Sequence, residues 1–303
     1  MSVTTQDDRL HTSSDPAFRD AVTFAFGDAG AKLYGLLRLS HGADGPFGLV
    51  VLYAGREPVA AGAAGGARSG DRSGWEDVSA AGIHVAVVRT LEAWTVGWQG
   101  KDAALALRFD ACSAAAPLAA QSPVARVGGM QGYEQLCRVS GSVTHSRRTY
   151  QVRCLGQRGQ LWGTPDQGKV KLTRAVSAWL SDERGLTLTA VRPAKAKGHL
   201  DEAVSGFVFE AGAAIEVADP RLSTTYDGQR RQRRAGLELW MTEEGDYARR
   251  AAGEVLCETT LDLGEQCLDS AFFAWRMEGR EGVGRYDVLR RANGSRGGRS
   301  RSR

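Results

Sequence analysis

Tyr133, Glu134, Arg158 and Trp162 bring a hydroxyl, a carboxylate, a guanidinium and a large aromatic face into one short stretch of the chain. A carboxylate can give or take a proton, a guanidinium can pair with it or polarise a carbonyl, and an aromatic face can stabilise a developing cation. Glu134 and Arg158 flank a predicted hairpin. They are expected either to pair across it in a pocket, with a perturbed carboxyl, or to close the corner as a structural ion pair. Further aromatics widen the candidate binding surface. Trp94 and Trp98 lie four positions apart in a predicted strand and so face one side, while Trp240, Trp275 and Tyr286 add apolar area nearer the C-terminus. Tyr133, Trp162, Trp94, Trp98, Trp240, Trp275 and Tyr286 are therefore candidate substrate-binding residues, the alternative for each being core packing.

The elements that must position these groups read as strands. Alternating runs at 136–143 and 149–155 are joined by the polar segment 144–148 and lead into a glycine-bounded corner at 156–163. Similar runs occupy 21–27, 31–39, 46–53, 83–91, 93–98 and 103–111, and again 169–180, 186–192, 203–210, 214–217, 235–241, 247–263, 271–277 and 285–289. The stretch 56–74 dissolves into Ala, Gly, Arg and Ser and reads as a loop, 113–127 interrupts the rhythm, and 248–256 has a helical composition opposed by Gly253. Many short strands with few helices predict an all-β fold. The break at 164–168 divides the chain into an N-terminal domain over 17–165 and a C-terminal domain over 166–291. A disordered start over 1–16 and an arginine-rich tail over 292–303 flank them.

Composition removes several classes of function. No apolar run approaches the ~20 residues that cross a bilayer. The polar, acidic start lacks the apolar core of a secretory signal, so a cytoplasmic location is expected. Five cysteines at scattered spacings make no CxxC pair, and the five histidines are isolated, so no metal site is assigned. The net charge of +4 belongs to six arginines from Arg290 onward, and subtracting those six leaves the body at −2. A basic tail without interleaved aromatics gives weak phosphate attraction, and no nucleic-acid partner is expected. The glycines of 279–284 lack a strand-to-helix context and a Walker lysine, so they read as a tight turn.

Taken in order, Tyr133-Glu134-Gln135, the hairpin centred on Gly141, Gly156-x-Arg158-x-x-x-Trp162-Gly163 and the run 279–286 give the chain a likeness to a known family. With Leu91-Glu92-Ala93-Trp94 and 105–111, it resembles the AttH-like and carotenoid 1,2-hydratase-like group from about residue 15 to residue 291. The resemblance implies two tandem lipocalin-like β-barrels or half-barrels that hold greasy molecules within or between them. It also implies hydration of an isoprenoid double bond or cyclisation of a polyene. The chain departs from the pattern at one place: where relatives show Arg-Asp-His-Ser-Trp-Gly, it has Arg158-Gly159-Gln160-Leu161-Trp162-Gly163. The acid, the imidazole and the hydroxyl are missing.

Adding water to an alkene needs a proton donor strong enough to form a carbocation, which Gly159 and Gln160 cannot be. Glu134 or Asp166 would have to supply it. Glu134, Asp166 and Arg158 are thus the candidate catalytic residues. Cyclisation asks for less, because holding one conformer of a flexible polyene needs shape more than acid. The sequence therefore points to a cofactor-independent, lipocalin-like enzyme that cyclises or hydrates a hydrophobic isoprenoid or polyketide-like substrate. The alternative is a non-catalytic carrier of a hydrophobic metabolite.

Overall fold

The computed structural model describes residues 2–68, 74–198, 201–242 and 247–292. It is built from two antiparallel sheets. The first holds β1 (Arg19–Asp28), β2 (Leu33–Gly42), β3 (Gly45–Ala54), β4 (Glu57–Arg68), β5 (Val78–Ala80), β6 (Ile83–Arg89), β7 (Ala93–Gln99), β8 (Ala103–Ala111), β9 (Ala116–Leu118), β10 (Met130–His145) and β11 (Arg148–Gly163). Each strand from β1 to β8 pairs with the next, β8 with β10, β10 with β11 and β11 with β1, so ten strands close into a barrel. β9 lies outside the closure against the start of β10.

The second sheet holds β12 (Val170–Ser181), β13 (Arg184–Pro193), β14 (Ala203–Glu210), β15 (Ala213–Glu216), β16 (Asp219–Tyr226), β17 (Gln232–Trp240), β18 (Arg249–Asp262), β19 (Gln266–Met277) and β20 (Arg280–Arg291). Its order is β15-β14-β13-β12-β20-β19-β18-β17-β16. It curls until the Val217 N–H, just before β16, donates to the Gly206 carbonyl of β14 at 2.9 Å, making a half-barrel. The expected all-β fold of two tandem lipocalin-like units is the fold observed. No helix among the described residues is long and apolar enough to cross a membrane.

Side-chain period explains the three cores. Along β1 to β3, Val22, Phe24, Phe26, Leu37, Val50 and Leu52 point into the barrel, while Ala25, Tyr34, Leu36, Leu49, Val51 and Tyr53 point outward. That outer face is also buried, because Trp179, Phe207, Phe209, Phe272 and Val283 of the half-barrel pack on it. Strands buried on both faces read as continuous apolar runs, as 21–27, 31–39 and 46–53 do. The half-barrel has its own inner core of Leu188, Leu237, Phe273, Trp275 and Tyr286.

Several elements differ from expectation for local reasons. The predicted corner at 156–163 does not exist: β10 and β11 pair without interruption from Met130↔Gly163 to His145↔Arg148. The two turn residues, Ser146 (φ 49°) and Arg147 (φ 62°), both take the left-handed conformation that suits a two-residue hairpin. Gly132 (φ 152°) allows a close crossing, since a Cβ there would stand 1.9 Å from the Gln160 carbonyl oxygen. The predicted loop at 56–74 contains β4, whose small side chains leave no alternation to read although its backbone pairs with β3 from Ala54↔Glu57 to Phe47↔Gly65. Residues 69–73 of that stretch lie outside the described residues. Segment 248–256 falls mostly in strand β18, and the interruption at 113–127 hides α1 (Pro123–Gly128), capped by the Ser122 hydroxyl accepting from Ala125 N at 3.1 Å.

The expected disorder of 1–16 is also corrected. Leu10 joins the barrel core and Asp8 is buried. Most of its polar residues are solvated, but Asp8 and His11 make bonds inside the protein. The arginine tail from residue 293 lies outside the described residues.

Phe272 is fully buried between the sheets, against Tyr34, Tyr53 and Trp179. Phe272→Ala is expected to cost about 3–5 kcal/mol, read as a lower urea midpoint. A loss below ~1 kcal/mol would show that the two sheets do not stabilise each other.

Candidate functional site

Glu134 lies on the face of the barrel turned toward the half-barrel. In register across four strands stand Glu134 of β10, Gly159 of β11, Thr23 of β1 and Arg38 of β2. Opposite them the half-barrel presents Thr187 of β13, its partner Ser177 of β12 and Arg285 of β20, whose N–H donates to the Ser177 hydroxyl at 3.4 Å. Arg285 Nη2 donates to Glu134 Oε1 at 2.8 Å, and the Thr187 hydroxyl donates to Glu134 Oε2. Each carboxylate oxygen thus accepts one hydrogen bond. Arg285 Nη1 also donates to Asp287 Oδ2 at 3.1 Å, and Ser270 to Asp287 Oδ1 at 2.7 Å. Arg38 Nη1 donates to the Thr23 hydroxyl at 3.3 Å. Burial, then the like charge of Arg285, pulls the Arg38 guanidinium below its ordinary value.

Beside this cluster a narrow cleft of ≈ 20 Å³ opens between the sheets. Leu118, Leu161, Leu188 and Phe207 wall it, Thr187, Thr189 and Ser205 supply hydroxyls, and Glu134 is the one titratable side chain among its lining residues.

The structure separates the predicted site residues. Glu134 and Arg158 do not pair: Glu134 faces Gly159 in register, so Arg158 falls on the opposite face of the sheet. Arg158 lies inside the barrel, its guanidinium 5.3 Å from the ring centroids of both Trp94 and Tyr133. Trp94 and Trp98 share one side as expected and fill the barrel. Asp166 lies exposed between the sheets, paired with Lys169 at 3.0 Å and not in the cleft. Trp162 stacks on His11 with centroids 4.1 Å apart. Trp275 and Tyr286 belong to the half-barrel core, where Tyr286 accepts from Arg174 at 3.3 Å. Trp240 ends β17 beneath the Arg221 guanidinium, at 5.4 Å.

Of the predicted residues only Glu134 lines the cleft. The missed members are Thr187, Arg285, Asp287 and Arg38. The signal that could have found them is a charged residue at an outward position of a strand buried on both faces, as in Arg285-Tyr286-Asp287. Four of the five cysteines are held as thiols: burial pushes Cys112 up to about 11 and Cys137, Cys154 and Cys257 up to about 12.

Comparison with known proteins agrees with this architecture. A family described as a domain of unknown function (DUF7064) matches residues 4–292. No curated protein matches the chain. Among solved structures, an AttH-like protein (NE1406) of Nitrosomonas europaea superposes with a TM-score of 0.71 at 14% identity, over 95% of this chain and 96% of that one. CghA superposes with a TM-score of 0.65, and its complex with Sch210972 with 0.63, each at 10% identity over 92% of this chain and 90% of theirs. These neighbours share the tandem lipocalin-like fold.

Burial raises the Asp287 carboxyl above its ordinary value, although Arg285 and Ser270 pull it down. A carboxyl raised in the folded state adds stability below its unfolded value, and that contribution is lost as pH rises through the raised one. Asp287→Asn has no such loss. Its unfolding free energy relative to wild type is therefore expected to move in the variant's favour between about pH 4 and pH 7. A flat or opposite trend in urea denaturation would contradict the burial argument.

Proposed function

We propose that this chain, which belongs to the DUF7064 family, binds a hydrophobic isoprenoid or polyketide-like small molecule in the cleft between barrel and half-barrel and promotes its cyclisation without a cofactor. One observation carries this reading. The cleft combines apolar walls with three hydroxyls and a single carboxylate, the composition of a small-molecule site, and at ≈ 20 Å³ it takes a ligand only when the two sheets part.

The same geometry ranks the chemistry. Hydration needs a group that presents a proton to an alkene, whereas both Glu134 oxygens accept hydrogen bonds from Arg285 and Thr187. Cyclisation is served by what the cleft does offer. Leu118, Leu161 and Phe207 restrict a flexible chain, and fixing one reactive conformer contributes several kcal/mol on the order of measured intramolecular effects. Glu134, held by two donors, is a fixed acceptor and negative charge beside the reacting segment. Arg285 is the charged one of those two donors, and its buried Nε has no hydrogen-bond partner among the described residues. The structure of CghA with Sch210972, a small molecule held by a protein of the same fold, supports a ligand-binding reading. A carrier of the same ligand class is the second reading, favoured by Gly159 standing where the family it resembles has an acid.

Incubation with linear isoprenoid and polyketide polyenes, followed by mass spectrometry, separates the two. A cyclised product supports the enzyme, and unchanged polyene recovered with the protein supports the carrier. Glu134→Gln is expected to lower turnover at least ~10-fold with affinity within about twofold, and unchanged turnover removes Glu134 from the mechanism. Leu161→Trp, which fills the cleft from its half-buried wall, is expected to weaken polyene binding about tenfold, measured by fluorescence titration. Undiminished binding would place the ligand elsewhere.

A further inference from the structure

The N-terminal segment ends a chain of polar contacts inside the barrel that the cleft does not use. Asp8 Oδ2 accepts from the Leu91 N–H at 2.6 Å and from Trp94 Nε1 at 3.2 Å. Asp8 Oδ1 accepts from Arg158 Nη1 at 2.9 Å and from the Tyr133 hydroxyl. Four donors from four parts of the barrel therefore converge on one carboxylate. The segment that carries it is not part of either sheet. It is held by Leu10 in the core, by Gln160 Nε2 donating to the Arg9 carbonyl at 2.7 Å, and by His11 against Asp20 at 3.0 Å.

The half-barrel repeats the arrangement. Tyr133 lies two residues before Gln135, the register partner of Arg158, and Tyr286 lies two residues before Val288, the register partner of Arg174. In each unit the arginine donates to that tyrosine's hydroxyl, at 3.0 Å and 3.3 Å. In each, a carboxylate from outside the strands neutralises the arginine. For Arg174 it is Glu202, which takes Nε at 2.9 Å and also Nη2, the two-pronged contact that suits a guanidinium. Asp8 engages Nη1 of Arg158 alone. Among the described residues Arg158 Nε and Nη2 have no hydrogen-bond partner although the side chain is 2% exposed, and Gln135 Oε1 beside it is likewise buried and unpartnered. Asp8 fills the position of a carboxylate without using all the donors that position offers.

We propose that Arg158, Tyr133, Trp94 and the Leu91 N–H form a carboxylate socket in the barrel, that Asp8 is its tethered internal ligand, and that a free monocarboxylate takes the socket when residues 4–11 lift away. The site is separate from the cleft between the sheets, so its test is independent of the proposed function. A tethered ligand competes through its high effective concentration, and an untethered acid competes by using the idle donors of Arg158.

Chemical rescue tests the socket. In the full-length protein, Asp8→Ala is expected to lower the melting temperature by on the order of 10 °C, because it strands a buried guanidinium. Acetate should restore it saturably, with a midpoint on the order of 10 mM, where chloride at equal ionic strength does not. Asp8→Asn, which keeps the shape and loses the charge, provides the same measurement if the alanine variant does not fold. Acetate acting no better than chloride on these variants, or acting equally on the double variant Asp8→Ala/Arg158→Met, overturns the socket. On the wild-type protein, octanoate is expected to increase hydrogen exchange across residues 4–11. Exchange unchanged up to the solubility limit of octanoate would show that Asp8 is never displaced and would overturn that part of the proposal.

Discussion

The pairing of β10 with β11 determines where almost every chemically able side chain in this protein goes. These two 16-residue strands close the barrel, and they stay in register from the Ser146–Arg147 turn to Gly163. Successive side chains leave opposite faces, so Tyr133, Gln135, Arg158 and Gln160 enter the barrel while Glu134 and the bare position at Gly159 meet the second sheet. A slip of one residue would exchange the two sets, placing Glu134 in an apolar core and Arg158 between the sheets. The close crossing at Gly132 and the left-handed turn at Ser146–Arg147 hold the register at both ends.

Two buried charge networks result, and they differ in cost. Inside the barrel, Asp8 and Arg158 are 0% and 2% exposed. Removing two charges from water that far costs several kcal/mol per ion before their attraction is counted. The offset comes from the Leu91, Trp94 and Tyr133 donors to Asp8 and from the two aromatic faces about Arg158. Between the sheets, Glu134, Arg285 and Asp287 are less enclosed, and Arg38, Glu134 and Asp287 each have a hydroxyl partner of their own, Thr23, Thr187 and Ser270. The barrel interior is therefore a polar cap over a packed core, and the cleft lies at the junction of the two units.

The all-β character and most strands were legible because β1 to β3 are buried on both faces and the other strands alternate. β4 was not, since alanine and glycine carry no pattern and the strand exists through its backbone pairing to β3. The site was legible only in Glu134. The expected Glu134–Arg158 pair failed because hairpin sequence places residues near one another without fixing the face, and a uniform 16-residue pairing replaced the expected corner. Thr187 and Arg285 reach Glu134 from 53 and 151 positions away in the chain, a distance no local pattern encodes. Asp8 was hidden for the opposite reason: an acidic, polar start has the composition of a solvated tail, and only the buried donors of the barrel show that its charge is used.

The departure at Gly159 is more than a missing acid. A Cβ at that position would stand 2.7 Å from the Tyr133 carbonyl oxygen and 3.0 Å from Cγ of Glu134. The Glu134 side chain has taken the space, and the carbonyl is fixed by the same pairing that closes the barrel. An aspartate could not be restored there without moving one or the other. The interface has thus been built around one carboxylate held by Arg285 and Thr187, in place of an acid that would face Glu134 across adjacent strands. Two carboxylates so close would repel, and one would take up a proton, which is how such a pair becomes an acid. With the partner position filled by Glu134 itself, that route to a strong proton donor is closed on this face of the sheet.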